Sequence, residues 1–479
     1  MGYIAAVLGK RRQDVTSLLK RMLGATGGPT PSLFGVASAE TGDFLDRSLD
    51  SMPNMGSPLI AYKSSLAAHP QLPILQRSGA LVFDGLLHRA VEPDVIHVAE
   101  LMKNGVSEGM RKLASEGGSV FSAAAADSDS VFLARDVVGT VPLYFGGDDE
   151  VLAAASNLKA LMAIGIEPKP VIPGTVMELT KRGYETLEAK KIKQPKQTRQ
   201  SETQCIDTLN GLLSNVSEDI VRKTRGGAVA FSGGIDSTLA AHYLKEAGGD
   251  IGLICVGVGD RREYGDALRA AEALGLDVNI HPFTKDELEA SLDEVILSVE
   301  DHNPMRIGVA APLFFAARQA VEEGHTNIFS GNGSDELFGG YHRYMTQWLK
   351  EGEEVRGSMY RDVVESWRNN YDRDAKICKD LGARLVLPFA DARIIEFGLG
   401  VPTRYKLPSS MGEPRKTILR KLAKKLGYPA EVSDRPKKAA QYSTGVHKAL
   451  VSIAKSRGES LPGFLKRKYE ELFSDGVQG

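Results

Sequence analysis

A glycine-rich turn in the middle of the chain decides how its second half folds. It reads Ala228-Val229-Ala230-Phe231-Ser232-Gly233-Gly234-Ile235-Asp236-Ser237-Thr238. The apolar run 228–231 predicts a buried strand, and the residues after the turn predict a helix over 238–247. Consecutive glycines let backbone N–H groups point into one concavity, and a helix N-terminus adds partial positive charge there. We therefore predict a phosphate-binding site at residues 232–237, which we name the phosphate turn.

The phosphate turn contains one residue that does not suit an anion site. Asp236 would repel phosphate oxygens, and a Mg²⁺ ion that bridges the carboxylate and the phosphates removes this conflict. Ser232, Ser237 and Thr238 offer hydroxyl donors, whereas the lysine of a Walker motif is missing. The alternative is an ordinary strand-to-helix turn in which Asp236 caps the helix.

Short apolar runs and helical stretches alternate around the phosphate turn. The predicted helices are 203–224, 238–247, 264–274, 285–300 and 309–323, and the predicted strands are 228–231, 251–256, 278–280 and 327–329. Such alternation is typical of right-handed βαβ units with a parallel sheet. From residue 340 onward the pattern is mostly helical and highly charged, which predicts a helical C-terminal extension.

A second loop rich in glycine and acid follows the predicted strand 327–329. It reads Ser330-Gly331-Asn332-Gly333-Ser334-Asp335-Glu336, and we name it the acidic loop. The carboxyl ends of parallel strands share one edge, so the acidic loop and the phosphate turn should face the same crevice. Asp335 could then complete a Mg²⁺ site with Asp236, and Gly331 permits backbone contact with a nucleotide. The alternative is an Asn-Gly turn before a helix with acidic first-turn residues.

Composition excludes several classes of protein. The 479 residues are 42% hydrophobic and 25% charged, and the net charge is -2, as in an ordinary globular protein. No apolar run approaches the length of a membrane span, and a near-neutral chain has no general attraction for nucleic acid. Three widely spaced cysteines, Cys205, Cys255 and Cys378, suggest neither a disulfide framework nor structural zinc. We expect a cytoplasmic protein without nucleic-acid or membrane partners, and a homodimer stays open.

The first part of the chain has a different pattern of apolar and turn-forming residues. Short apolar runs broken by Gly, Pro, Asp and Ser predict a strand-rich domain with a few helices, one of them near 14–23. A basic stretch around 189–200 has almost no apolar residues and is interpreted as a solvated linker rather than a nucleic-acid patch. The predicted domains are 1–185 and 203–479, with a linker at 186–202.

The two loops resemble motifs of known families. The phosphate turn resembles the SGGxDS pyrophosphate loop of the N-type ATP pyrophosphatases. The acidic loop resembles the SGEGSDELFGGY signature of asparagine synthetases and their β-lactam synthetase relatives. Further stretches similar to motifs of that family are Met1-Gly2-Tyr3-Ile4-Ala5-Ala6-Val7, Arg135-Asp136-Val137-Val138-Gly139-Thr140-Val141-Pro142-Leu143-Tyr144, Leu387-Pro388-Phe389-Ala390-Asp391, Lys416 with Leu419-Arg420-Lys421, and Arg435-Pro436-Lys437-Lys438.

The resemblance implies a fold and a reaction. The fold is α/β, with an N-terminal glutaminase-like αββα sandwich, a doubly wound parallel sheet of the ATP pyrophosphatase type and a helical C-terminal extension. The reaction is activation of a carboxylate as an acyl-adenylate, with ATP and Mg²⁺ as cofactors, followed by attack of a nitrogen nucleophile. The residues carried over are Asp236 and Asp335 for the metal, Lys437 for pyrophosphate, and Ala230, Ser232, Gly233, Gly234, Ile235, Ser237, Val256, Ser330 and Gly331 for ATP.

Departures from the family pattern concentrate in the N-terminal domain. Gly2 stands where the glutaminase nucleophile is a cysteine, so no thiolate and no acyl-enzyme can form. Asp84 stands where an asparagine donates to the oxyanion, and Gly27-Gly28-Pro29-Thr30 replaces the arginine-bearing RGPD clamp. We interpret the domain as a retained scaffold without glutaminase chemistry.

Two departures also occur in the synthetase half. Asn332 replaces the glutamate of SGEG, and Arg384 stands in a stretch where the family has an acid. Three hypotheses follow. The first is an asparagine synthetase-type ligase that uses aspartate and free ammonia, and the second is a β-lactam synthetase-like or other adenylating ligase acting on a different acid with ammonia or an amine. The third is a non-catalytic ATP-binding homologue. Whether a separate glutaminase supplies ammonia stays open.

Overall fold

A computed structural model describes residues 2–11, 14–28, 32–38, 42–65, 73–76, 78–88, 90, 92–116, 118–260, 263–435 and 440–474. The chain divides into two compact units. The N-terminal unit comprises Met1–Lys191 with Lys379–Gly382 and Glu470–Gly479, and the C-terminal unit comprises Ile192–Cys378 and Ala383–Tyr469.

The N-terminal unit consists of thirteen strands and four α-helices in its described part. The strands are β1 (Gly2–Gly9), β2 (Ser32–Ser38), β3 (Gly42–Asp46), β4 (Leu59–Ser65), β5 (Ile74–Gln76), β6 (Gly79–Leu87), β7 (Ser119–Ala126), β8 (Ser130–Arg135), β9 (Tyr144–Gly147), β10 (Val151–Ala155), β11 (Lys169–Pro170), β12 (Thr175–Thr180) and β13 (Gly183–Ala189). The helices are α1 (Thr16–Ala25), α2 (Asp94–Leu101), α3 (Val106–Ser115) and α4 (Leu158–Met162).

These elements form four layers. One sheet has the order β11-β9-β10-β1-β4-β2-β3 and the other β13-β12-β8-β7-β6-β5. Every residue of β1 is buried because alternate side chains enter different cores. Ile4, Ala6 and Leu8 face the core between the sheets, whereas Ala5 and Val7 pack with α1. Helices α2 and α3 cover the outer face of the second sheet, so the αββα sandwich is confirmed.

The C-terminal unit begins with an irregular segment and continues with alternating helices and strands. Its strands are β14 (Gly226–Ala230), β15 (Asp250–Val258), β16 (Val278–Phe283), β17 (Asn327–Phe329) and β18 (Arg384–Val386). Its helices are α5 (Glu202–Thr224), α6 (Ile235–Glu246), α7 (Glu263–Leu274), α8 (Lys285–Ala290), α9 (Leu292–Val299), α10 (Pro304–Glu322), α11 (Ser334–Phe338), α12 (His342–Glu351), α13 (Val355–Ser366), α14 (Asp372–Asp380), α15 (Ala392–Gly400), α16 (Thr417–Lys425), α17 (Ala430–Ser433), α18 (Ala440–Ser443), α19 (Val446–Ser456) and α20 (Leu461–Ser474). The last residues of α14 and of α20 belong to the N-terminal unit.

The sheet of the C-terminal unit is entirely parallel and has the order β16-β15-β14-β17-β18. The chain adds strands to one side of β14 and then crosses to the other side with β17. This reversal of strand order defines a doubly wound sheet, in which ligands bind beyond the carboxyl ends of the strands at the point of reversal. The predicted parallel sheet and helical C-terminal region are both confirmed.

Most elements agree with the sequence predictions to within three residues. The helix predicted over 309–323 is α10, which begins five residues earlier at Pro304, and two other differences occur. The predicted helix 285–300 is two helices, α8 and α9, that are separated at Ser291. The edge strand β18 was not predicted, because its short apolar stretch lies among mostly helical, highly charged residues. Residues 190–201 form neither helix nor strand, and Thr198 N–H donates to Gly400 O within the C-terminal unit.

Candidate active site

The phosphate turn joins β14 to α6, and its backbone depends on Gly233. This residue has a φ of +64°, in the left-handed region, and a Cβ there would lie 2.7 Å from Ala267 Cα. Ser232 N–H donates to Ser237 Oγ at 3.3 Å, and Ser237 Oγ donates to Gly234 O at 3.1 Å. These bonds close the turn at the first residues of α6, which begins at Ile235, two to three residues before the predicted start.

The acidic loop lies directly against the phosphate turn. A Cβ on Gly331 would be 2.6 Å from the Cβ of Asp236 and 2.9 Å from Ser237 N. The loop can approach this closely only because Gly331 has no side chain. Both loops follow neighbouring strands, β14 and β17, as the sequence analysis expected.

Asp236 and Asp335, which we call the acid pair, meet at one cation. The Lys416 ammonium lies 2.5 Å from Asp236 Oδ1 and 2.6 Å from Asp335 Oδ1, and it donates to Ser334 Oγ at 2.9 Å. The Lys416 side chain is fully buried, whereas the two carboxylates keep a small exposed fraction. One carboxylate oxygen from each loop therefore points at the same position.

The acid pair fits a Mg²⁺ ion that arrives with a nucleotide. No group of three or more His, Cys, Asp or Glu side chains suited to a metal occurs among the described residues. Proteins commonly hold Mg²⁺ through one or two carboxylates while substrate phosphates and waters fill the remaining positions. Two converging carboxylate oxygens beside the phosphate turn match that arrangement.

The remaining residues predicted for ATP lie at the same edge of the sheet. Ala230 is the last residue of β14, and Val256 lies near the end of the neighbouring strand β15. Ser330 follows β17 directly, and its N–H donates to Val386 O at 3.3 Å. Lys437 lies outside the described residues. The preceding Arg435 donates to Ser232 O at 2.8 Å and pairs with Asp266 at 2.9 Å.

Two residues at the site were not assigned a role from the sequence. Lys416 is recognisable in the sequence only as part of a motif, and that motif does not indicate a position between two acids. Asp374 accepts a hydrogen bond from Asn332 Nδ2 at 2.7 Å and pairs with Arg373 Nε at 2.6 Å. The Asp374 carboxylate is buried, so Asn332 is held beside an acid even though the family's glutamate is absent. Arg384 begins β18 and belongs to the sheet edge.

The positions that the sequence predicts to be degenerate glutaminase residues lie together in the N-terminal unit. Gly2 is the first residue of β1, and a Cβ there would be 2.2 Å from Lys63 O and 2.6 Å from Tyr62 Cζ. The Asp84 carboxylate forms a buried ion pair with Lys379 Nζ at 2.6 Å. A nucleophilic side chain thus has no room at Gly2, and the charge of Asp84 is already compensated.

Asp380 completes this charged cluster. A Cβ on Gly27 would lie 2.7 Å from the Asp380 carboxylate, which pairs with Lys159 Nζ at 2.9 Å and accepts a hydrogen bond from Tyr3 Oη. Burial lowers the pKa of Lys63, the neighbouring amine, to about 8. Pro29 and Thr30, which complete the altered clamp, lie outside the described residues.

Strand order, phosphate turn and acid pair together define a nucleotide-binding α/β ligase class. Sequence comparison agrees. The asparagine synthase family model matches residues 210–356 and 345–469, which is more than half of the chain, and a glutamine amidotransferase domain model matches residues 90–163. The chain therefore belongs to the asparagine synthase family, whose members are ATP-dependent carbon–nitrogen ligases.

Named relatives are moderately similar. The chain is 28% identical over 392 residues to the putative asparagine synthetase (glutamine-hydrolyzing) 1 of Methanocaldococcus jannaschii, covering 71% of each chain. It is 25% identical over 359 residues to the probable asparagine synthetase (glutamine-hydrolyzing) of Dictyostelium discoideum, covering 70% of this chain and 64% of the relative. The chain thus spans less than two thirds of the second relative's length.

A solved structure of a glutamine phosphoribosylpyrophosphate amidotransferase from B. subtilis is also similar, at 14% identity and a TM-score of 0.34. That match covers 69% of this chain and 81% of the amidotransferase. In the part of the chain that the structure describes, none of the helices is both long and apolar enough to span a bilayer.

Proposed function

We propose that this protein adenylates the side-chain carboxylate of aspartate with ATP and then transfers ammonia to it, which yields asparagine, AMP and pyrophosphate. The observation that carries this proposal is the convergence of Asp236 and Asp335 on one cation position beside the phosphate turn. A substrate carboxylate oxygen attacks the α-phosphorus, and the bond to the bridging oxygen breaks as pyrophosphate leaves. Ammonia then attacks the acyl carbon, loses a proton and expels AMP.

We assign residues to this reaction as follows. Asp236 and Asp335 would hold Mg²⁺, which neutralises charge on the phosphates. The backbone of residues 232–237 would bind pyrophosphate, with hydroxyl donors from Ser232 and Ser237. Ala230, Val256, Ser330 and Gly331 would contact adenosine, and Lys437 would stabilise the charge that develops on the leaving pyrophosphate.

We infer that the nitrogen source is free ammonia. We treat residues 1–185 as a degenerate glutaminase-like domain, residues 186–202 as a linker and residues 203–479 as the synthetase domain. The names of the relatives specify glutamine hydrolysis, but this chain has Gly2 in the nucleophile position and a buried Asp84–Lys379 pair at the oxyanion position. Hydrolysis of an amide at such a site needs a nucleophile and an oxyanion donor, and neither is supplied.

A second candidate is an adenylating ligase for another acid, as in the β-lactam synthetase-like hypothesis. The contact between Asn332 and Asp374 favours it, because this pair replaces the family's glutamate in the loop that handles the incoming amine. An altered amine site is compatible with a nucleophile other than ammonia. A cytoplasmic location and a homodimer remain expectations for either candidate.

One assay separates the candidates. Pyrophosphate release is measured with Mg²⁺ and ATP across a panel of amino acids and other carboxylic acids, with ammonium, with glutamine or with neither. We expect aspartate to stimulate release and ammonium to convert it to asparagine. Stimulation by a different acid would support the second candidate. If no acid in the panel raises pyrophosphate release above the rate measured without any acid, the result would favour a non-catalytic ATP-binding homologue and contradict both candidates.

A further inference from the structure

Lys416 uses all of its hydrogen-bonding capacity on the two loops of the site. An ammonium group has three N–H donors, and its partners here are one oxygen each from Asp236, Asp335 and Ser334. The side chain is fully buried. The Lys416 ammonium and the two carboxylates together carry one net negative charge. The acid pair alone would carry two.

The backbone of Lys416 is also unusual. Its φ is 63° and its ψ is 44°, a left-handed conformation that is uncommon for a residue with a side chain, and it lies immediately before α16. A Cβ on Gly340 would lie 2.5 Å from Lys416 Cε and 1.7 Å from Asp335 Oδ1. Because Gly340 has no side chain, there is room for the Lys416 amine beside Asp335. A rarely populated backbone conformation that is held by its surroundings is a feature of functional sites.

We propose that Lys416 occupies the position of the metal between Asp236 and Asp335 until a nucleotide arrives, so that Mg²⁺ binds only together with ATP. This inference rests on the proposed function. The carboxylate oxygens that would coordinate the metal are the ones that contact the ammonium, and two cations at one position would repel each other.

The exchange of the Lys416 ammonium for Mg²⁺ follows from the charges at the site. Without nucleotide, a divalent ion gains little, because the ammonium already compensates half of the charge of the acid pair. Nucleotide phosphates bring several negative charges to the adjacent phosphate turn. They provide both ligands for the metal and a new partner for a compact ammonium on a flexible stem. Metal and nucleotide are then bound cooperatively.

The test measures binding of Mn²⁺, used as a spectroscopic probe for Mg²⁺, to the full-length protein by the electron paramagnetic resonance signal of the free ion. Without nucleotide, we expect weak binding to the wild type and binding at least about tenfold tighter to Lys416→Met, in which the acid pair loses the Lys416 ammonium. Lys425→Met is the matched control, because Lys425 is the last residue of α16, the helix that Lys416 precedes, and forms an exposed pair with Asp207. It should behave like the wild type.

The wild type alone can overturn the proposal, so a variant that fails to fold does not leave it undecided. Mn²⁺ binding that is equally tight with and without a non-hydrolysable ATP analogue would show that Lys416 does not exclude the metal. A folded Lys416→Met that binds Mn²⁺ no better than Lys425→Met would also overturn it.

The proposed metal site is tested separately with the analogue present. If Asp335→Asn leaves Mn²⁺ binding to the analogue complex unchanged, the assignment of the acid pair fails. If Asp335→Asn abolishes that binding while Lys416→Met has no effect on the nucleotide-free protein, only the exchange role of Lys416 fails.

Discussion

At the scale of single residues, Asp335 reaches the phosphate turn because Gly331 brings the acidic loop against Asp236. The two carboxylates are distant in sequence, yet both contact Lys416. A metal held there would stabilise the charge that grows on pyrophosphate as the α-phosphorus is attacked. Loss of either carboxylate should therefore affect the chemical step rather than folding alone.

We expect Asp335→Asn to lower ATP cleavage by about 10³-fold, because a metal site is commonly worth several kcal/mol in the transition state. The measurement is pyrophosphate release at saturating ATP, with circular dichroism to verify folding. Asp207→Asn, an exposed acid on α5, is the control and should keep wild-type turnover. Turnover within about tenfold of wild type in Asp335→Asn would refute a shared metal site.

Lys63 provides a prediction about pH at the same scale. Burial lowers its pKa to about 8, whereas in the unfolded chain the pKa stays near 10.5. The unfolded state therefore binds more protons between these values, so the contribution of Lys63 to stability rises with pH across this window. Below about pH 8 the cost of the buried charge is fully present.

We expect the stability difference between wild type and Lys63→Met to shift toward the wild type by about 1 kcal/mol between about pH 7.5 and pH 9.5. The figure is reduced for partial solvent exposure of the amine. Hydrogen–deuterium exchange of β4 measures it, and Lys112→Met, whose exposed amine pairs with Glu108, is the control. A pH-independent difference would contradict the inferred cause.

At the scale of elements, the two loops depend on glycines for different reasons. Gly233 needs both a left-handed backbone and the absence of a Cβ, whereas Gly331 needs only the absence of a Cβ against Asp236. Gly211 in α5 has neither constraint, since a Cβ there would meet no atom within 4 Å. Gly331 therefore tests close approach alone, and Gly211 is its control.

Gly331→Ala should lower ATP cleavage by about 10²-fold while the protein stays folded, because a methyl group would push the acidic loop away from the phosphate turn. Gly211→Ala should leave activity unchanged and stabilise the protein by about 0.5–1 kcal/mol, since alanine is the better helix former. Turnover and urea unfolding measure the two effects. Unchanged turnover in Gly331→Ala would show that the loops need not touch.

The Asp84–Lys379 pair is a buried ion pair in the N-terminal unit. Lys379→Met should destabilise this unit by about 3–5 kcal/mol, because it leaves a buried carboxylate without its partner. The double variant Asp84→Asn/Lys379→Met should recover most of that loss. Breaking the exposed pair of Lys112 and Glu108 should cost less than about 1 kcal/mol. If the losses of stability in Lys379→Met and in Asp84→Asn add up to the loss in the double variant, Asp84 and Lys379 are not coupled.

In the molecule as a whole, the N-terminal unit has a glutaminase-type sandwich. Other protein groups occupy the space beside Gly2, Asp84 and Gly27, the positions predicted to have lost the glutaminase residues. Tyr62 and Lys63 O surround Gly2, Lys379 neutralises Asp84, and Asp380 lies against Gly27. Reversing one substitution therefore does not rebuild a site. These contacts also pack the sandwich, so its stability does not depend on a catalytic function.

Purified protein incubated with glutamine should release glutamate at no more than the spontaneous rate. Gly2→Cys should not restore release, because the new side chain meets Lys63 O and the oxyanion donor is still absent. Glutamate is measured enzymatically after removal of ammonia. Release that disappears when Asp84 is altered would show an active glutaminase and refute free ammonia as the nitrogen source.

Local patterns predicted most of the helices and strands of the C-terminal unit between α5 and β17, but not the separation of α8 from α9 or the edge strand β18. The strand 327–329 was predicted at its observed bounds, and α5 differs by one residue at its start, where Ser201 and Gln204 form a capping box. These features depend on residues close in sequence, through apolar period, caps and glycine turns. The shared edge of the two loops followed from the rule that parallel strands present their carboxyl ends together.

The fold class, the two loops and the glycine at position 2 could all be read from the sequence. The position of Lys416 between the acids, the contact of Asp374 with Asn332 and the pairing of Lys379 with Asp84 required the folded structure. These contacts could not be predicted because they join residues that are far apart in the chain. Lys416 and its partner Ser334 are 82 residues apart, and the energy of a buried charge depends on which distant partner packing places beside it.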